Sequence, residues 1–169
     1  MKEFLHRTPE VFLDPDPHPN DVSCYKEVGK RLGVLDVDDV ELGFIAKVSD
    51  NLTIFPSDPV ISLHVPPLDR GKASPFQVAD SMRLLAEYIE RHCPENRYIV
   101  GITYERMWSA SRRSGFHVAS SPVPKDVREA VAKAYRLYAK QHLVKGPMGE
   151  IKLIYQTRDE FLSRFGKVA

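Results

Sequence analysis

The chain is poor in cysteine: Cys24 and Cys93 are the two in 169 residues, and they form no CxxC pair. Two cysteines in a chain of this length exclude a disulfide framework. Both are read as reduced, buried thiols, and the protein as cytoplasmic. Long apolar runs are also missing. None approaches the roughly 20 residues a membrane helix needs. The N-terminal stretch Met-Lys-Glu-Phe-Leu-His-Arg has no apolar signal core. A basic excess is absent as well, since 24 Lys and Arg face 23 Asp and Glu. With no interleaving of aromatic and basic residues, that balance argues against a nucleic-acid partner. His6, His18, His64, His92, His117 and His142 form no HxH or HxxxH pair and none sits with a cysteine, so no metal is expected. Asp14, Asp16 and His18 alternate between prolines, but the EF-hand glycine and glutamate are lacking, and they read as a solvated loop. There is no GxSxG or SxxK motif, no Walker loop, no GxGxxG and no internal repeat.

What is present is ordinary globular material, 43% hydrophobic and 28% charged, enough to bury a core. One domain is expected over 1–169, with an extended segment at 1–19 and a globular core from 20. Val11–Leu13 reads as a short strand before the proline-rich loop. Asn20 or Asp21 caps a helix expected to run to about Leu32, with Gly33 as its stop. Glu41–Val48, Leu52–Phe55 and Val60–Val65 are β-prone runs separated by turn residues, predicting a three-stranded antiparallel meander. Ser74-Pro75-Phe76-Gln77 then combines an N-cap, a proline at the first helical position and a capping box. Val78, Ala79, Met82, Leu85, Ala86 and Ile89 follow at helical spacing, and Cys93-Pro94 closes that helix. Tyr98–Thr103 is a strand apolar enough to be buried on both faces. A helix of roughly ten residues ends at Gly115, and Phe116–Ala119 is the next strand. A long helix runs from Lys125 to about His142. Glu150–Gln156 is the last strand, and Thr157 with Glu160 opens a short helix ending at Gly166. The class is α+β.

One segment carries possible chemistry. Leu63-His64-Val65-Pro66-Pro67-Leu68-Asp69-Arg70-Gly71-Lys72-Ala73-Ser74-Pro75 takes a strand through a basic loop into a capped helix. A helix start offers unpaired amides and a partial positive charge. Arg70 and Lys72 add two full charges, and Gly71 allows close backbone approach. The combination suits a phosphate or pyrophosphate. An ordinary strand-to-helix connection with a solvated basic pair is the competing reading. Ser109, Ser111 and Ser114 cluster in the short helix without a base in sequence.

The same segment resembles motif A of the GNAT superfamily, the acyl-CoA-dependent N-acyltransferases. There, an L-x-V-x-P strand runs into R-G-x-G-x-G and a helix. Leu63, Val65 and Pro67 match the strand; Arg70, Gly71 and Lys72 match the loop start. Ala73 stands for a glycine, and Pro75 for the last glycine, where it has no N–H to donate. The helix, buried strand, short helix and Gly115-Phe116 that follow also fit the family order. The resemblance implies a GNAT-like, mixed and mostly antiparallel central sheet of about six to seven strands with flanking helices. It implies acetyl-CoA or another acyl-CoA as cofactor, held by Val65, Arg70, Gly71, Lys72, Ala73 and Ser74. Its acceptor would be a small-molecule or protein amine. The family's tyrosine acid falls at Ser111 and an asparagine near the helix start at Tyr104, leaving His64 or Tyr104 to handle the proton. Residues 58–123 also resemble the YkoP-like domain, through Asp58-Pro59-Val60, Leu63-His64, Gly101-Ile102-Thr103 and Gly115-Phe116. That resemblance implies a non-catalytic accessory or interaction module without cofactor.

Overall fold

A computed structural model describes residues 30–40, 42–64, 74–141 and 146–167. The elements are β1 (Lys30–Leu32), β2 (Leu35–Val40), β3 (Ala46–Ser49), β4 (Leu52–Ile54), β5 (Val60–His64), α1 (Pro75–His92), β6 (Tyr98–Tyr104), α2 (Glu105–Arg113), β7 (His117–Pro122), α3 (Lys125–Gln141), β8 (Ile151–Thr157) and α4 (Arg158–Phe165). Six strands form one sheet in the order β1-β2-β5-β6-β8-β7, and β3 and β4 form a separate hairpin. Among the described residues every pair is antiparallel except β5 with β6. The fold is therefore α+β with a mixed, mostly antiparallel sheet, and from β5 to β7 its elements follow the order that the N-acyltransferase resemblance implies.

The sheet is buried on both faces because its strands carry apolar residues at alternate positions. On one face Leu35, Val37, Ile61, Leu63 and Ile99 pack under α1 and α4, against Met82, Leu85, Ile89 and Phe161. On the other, Val60, Val100, Leu153 and Tyr155 meet Ala46, Val48 and Ile54 of the hairpin and Val127 of α3. The predicted α1 stripe is the one buried, and full burial of Leu85 or Ile89 is worth roughly 1.5–3 kcal/mol each. Both predicted capping boxes form, Ser74 with Gln77 and Thr157 with Glu160.

The N-terminal part departs from expectation. Where a helix was expected to run to Leu32, Lys30–Leu32 is the strand β1, and Gly33 lies in a two-residue turn to β2 with φ of 60°. A glycine at positive φ ends helices and makes tight hairpins equally well, so the local signal could not separate them. The start of that helix, the Val11–Leu13 strand and the proline-rich loop lie outside the described residues. β2 was not anticipated, because its sequence Leu-Asp-Val-Asp-Asp-Val is heavy in a residue that strands avoid. The meander is also corrected. β3 and β4 do pair, but β5 takes β2 as its antiparallel neighbour instead. Among the described residues no helix is long and apolar enough to cross a membrane.

Candidate functional site

β5 and β6 are parallel neighbours joined through α1, so their C-terminal ends reach the same edge of the sheet. Crevices at the carboxyl ends of such strands are where open sheets bind ligands. Among the described residues the ladder between them runs from Val60↔Tyr98 to Ser62↔Val100. Both strands continue past it, β5 to His64 and β6 to Tyr104. Gly101 keeps the backbones close at this point, since a Cβ there would stand 3.2 Å from the Leu63 carbonyl oxygen. Beyond it, Ile102, Thr103 and Tyr104 pair with Leu153, Lys152 and Ile151 of β8.

His64 is the last residue of β5. Tyr104 is the last residue of β6, not a residue of the following helix as the sequence suggests, and its ring is buried in the core with Val100 and Ile151. It occupies the N-cap position of α2 in an extended conformation without capping through its side chain. The first amides of α2 are instead taken by the loop before β8. Glu105 N–H donates to the Glu150 carbonyl at 2.8 Å, and Arg106 N–H to that of Met148 at 3.2 Å. Ser111 lies seven residues after Tyr104, roughly 10 Å along the helix at 1.5 Å per residue. Its hydroxyl donates back to the Met107 carbonyl at 3.0 Å. The fold therefore does not bring Ser111 to Tyr104, and its hydroxyl is engaged by its own helix.

On the cofactor side, Ser74 is the N-cap of α1. Its N–H donates to Gln77 Oε1 at 2.8 Å, and its hydroxyl accepts the Gln77 N–H at 3.2 Å. Two of the amides at this helix start are thereby used, and Pro75 has none. Val65, Arg70, Gly71, Lys72 and Ala73 lie outside the described residues.

Two groupings escaped the sequence. Asp36 of β2 is buried at 7% exposure and stands opposite His64 in the β2–β5 ladder. At the far edge, His117 Nε2 lies 2.8 Å from Glu160 Oε1, and its ring lies 5.2 Å from that of Tyr155. Burial raises the Glu160 carboxyl, but the Thr157 N–H, the His117 ring and the Thr157 hydroxyl together hold it below its usual value. Burial pushes the Tyr155 phenol up, against a bond to the Ser49 side chain. The capping-box spacing flagged Glu160, but nothing local links it to His117. Among the described residues no group of three His, Cys, Asp or Glu could hold a metal.

No family model matches the chain, and no curated protein matches it. A solved structure of an acyltransferase in complex with decanoyl-CoA is similar over 74% of this chain at 20% identity, with a TM-score of 0.44. The similar region spans 44% of that acyltransferase's length. A likeness of this degree assigns no residue of this chain a role.

Proposed function

We propose that the chain binds an acyl-CoA where β5 leads into α1 and transfers the acyl group to an amine, in the manner of the GNAT superfamily. The observation that carries this reading is the parallel pair β5–β6, whose ladder among the described residues runs to Ser62↔Val100 while both strands run on. A pantetheine arm is an extended, amide-bearing chain. Strand ends released from their ladder offer N–H and C=O groups for it to pair with. Arg70 and Lys72 would face the phosphates. In the reaction the amine nitrogen attacks the thioester carbonyl, so a C–N bond forms and the C–S bond breaks. One ammonium proton goes to His64, with Tyr104 as the other candidate, and the remaining proton lost by nitrogen leaves on sulfur as the free thiol. Each transfer needs its titratable group within hydrogen-bond reach.

A second reading has an observation of its own. The Ser74–Gln77 box engages amides that a pyrophosphate would use, and Pro75 supplies none. That favours a non-catalytic accessory or interaction module without cofactor, as in the YkoP-like domain. Thermal melting separates the two. A ligand present at a hundred times its Kd stabilises the native state by about 2.7 kcal/mol. At about 2–4 °C per kcal/mol for a chain of this size, the midpoint should rise by roughly 5–11 °C. The expected result is such a rise with millimolar CoA or acetyl-CoA, lost in Arg70→Ala with Lys72→Ala. No rise with either ligand leaves the module reading.

A further inference from the structure

α1 and α2 lie on the same face of the sheet. Ile154 packs with Ile61 and Leu63 in the core under α1. Lys152 is two places from Ile154 along β8, so it projects to that face too. There its ammonium lies 5.3 Å from the centre of the Trp108 ring of α2. The two helices follow β5 and β6, and so flank the crevice at the carboxyl ends of those strands. Trp108 is one turn into α2, and Lys152 beside it opposes Thr103, the next-to-last residue of β6. The ring therefore stands over the sheet beside the crevice. Its indole nitrogen is shut off from solvent, and among the described residues no acceptor takes its N–H. Lys152 cannot take it, because an ammonium only donates. That ammonium donates to the Ser120 carbonyl at 3.3 Å and has Glu150 Oε2 at 3.7 Å. A buried tryptophan N–H usually finds a partner, and leaving it without one is destabilising.

We propose that Trp108 is a ligand-contact residue whose indole N–H donates to a carbonyl oxygen of the pantetheine arm. This role rests on the acyl-CoA reading, which lays that arm along the ends of β5 and β6. The arm carries two amide carbonyls, and each must find a donor when the crevice takes it out of water. Ligand sites of this kind are mostly apolar, with a few fixed polar groups that set the ligand's orientation. A donor without a partner in the free protein is well suited to that task, since accepting from it relieves a cost already present. α2 has no fully buried residue, so an arm can reach its inner side without breaking a packed core. The ring is itself held in place, between its helix and the Lys152 ammonium.

The test uses the fact that Trp108 is the one tryptophan in 169 residues, so the ¹⁵N-labelled full chain gives a single indole N–H signal. Saturating CoA should move that proton downfield, as a new hydrogen bond does, while ADP, which lacks the arm, should leave it in place. Trp108→Phe keeps an aromatic ring and removes the N–H. By calorimetric titration it should bind CoA about 3- to 10-fold more weakly, the worth of one neutral hydrogen bond, with ADP affinity unchanged. An indole signal that stays put in a chain that binds CoA overturns the proposal and leaves the acyl-CoA reading standing, and so do equal CoA affinities of the two chains. Should Trp108→Phe fail to fold, the NMR comparison of CoA with ADP on the unmodified protein decides. No heat and no shift with CoA on the unmodified protein overturns the acyl-CoA reading, and this contact with it.

Discussion

The first turn of the sheet is fastened to α1 by one hydroxyl, and removing it should cost more than a surface serine would. Ser81 is 2% exposed. Its Oγ accepts the Val34 N–H at 2.9 Å and donates to the Gln77 carbonyl at 2.7 Å. Ser81→Ala deletes the acceptor and leaves the Val34 amide without it, at about 1–3 kcal/mol for a buried donor. Against this, alanine is the better helix former by roughly 0.5 kcal/mol, and the hydroxyl's bond to the carbonyl four residues back slightly disfavours the helix. The net expectation is a loss of about 1–2 kcal/mol, lowering the melting midpoint by roughly 2–8 °C at 2–4 °C per kcal/mol. Gly33 supplies an internal control. Its φ is 60°, and a Cβ there would run into Ser81 Oγ and lie 3.1 Å from Ser81 Cβ. Gly33→Ala therefore suffers both backbone strain and a clash with the hydroxyl, whereas in the Ser81→Ala background only the strain and a milder contact remain. Urea unfolding of both single variants and the double variant should show a double-variant loss below the sum of the singles by about 0.5 kcal/mol or more. Strict additivity, or a Ser81→Ala change within about 0.5 kcal/mol of zero, would refute this account of the fastening.

Other outcomes follow from the same geometry. The depressed Glu160 carboxyl stabilises the fold above its unfolded value of 4.5, and that contribution is lost as pH falls through the lower folded value. Scanning calorimetry between about pH 5 and pH 3 should show a smaller acid loss in His117→Gln than in the parent; an identical pH profile would mean that the pair contributes nothing. Gln77→Ala opens the α1 capping box and should cost about 0.5–1 kcal/mol. If CoA phosphates use the α1 amides, the same change frees the Ser74 N–H and should tighten CoA binding by calorimetric titration, whereas an unchanged Kd would place the phosphates elsewhere.

The regions legible in the sequence are those where local signals agree. α1 has a proline at its first position, a reciprocal capping box and an apolar stripe, and each is realised. β6 reads as a strand buried on both sides, and it lies in the middle of the sheet. β2 was hidden because three of its six residues are aspartates. What makes it a strand is pairing with β5 on one side and β1 on the other, which is a tertiary gain that propensity does not contain. The site shows the same division. Tyr104 and His64 drew attention in the sequence because they sit beside recognisable strand ends. The pairing of Asp36 with His64 joins residues far apart in the chain by register alone, and register is fixed by which faces are buried, not by spacing along the chain.

The two helix starts at this edge of the sheet bear differently on a bound pyrophosphate than a bare helix terminus would. At α2, Glu105 and Arg106 give their amides to the carbonyls of Glu150 and Met148. At α1, the box engages Ser74 and Gln77, and Pro75 has no N–H, so Phe76 supplies the first-turn amide outside the box. An amide cradle works by several fixed donors converging in a site shielded from water. With the box closed, phosphate recognition here would fall chiefly to Arg70 and Lys72 as full charges. Attraction between charges open to solvent is screened over about 8 Å at physiological ionic strength. The affinity of this loop for CoA would then depend on salt far more than an amide cradle does, and the capping box that secures α1 is what would make it so.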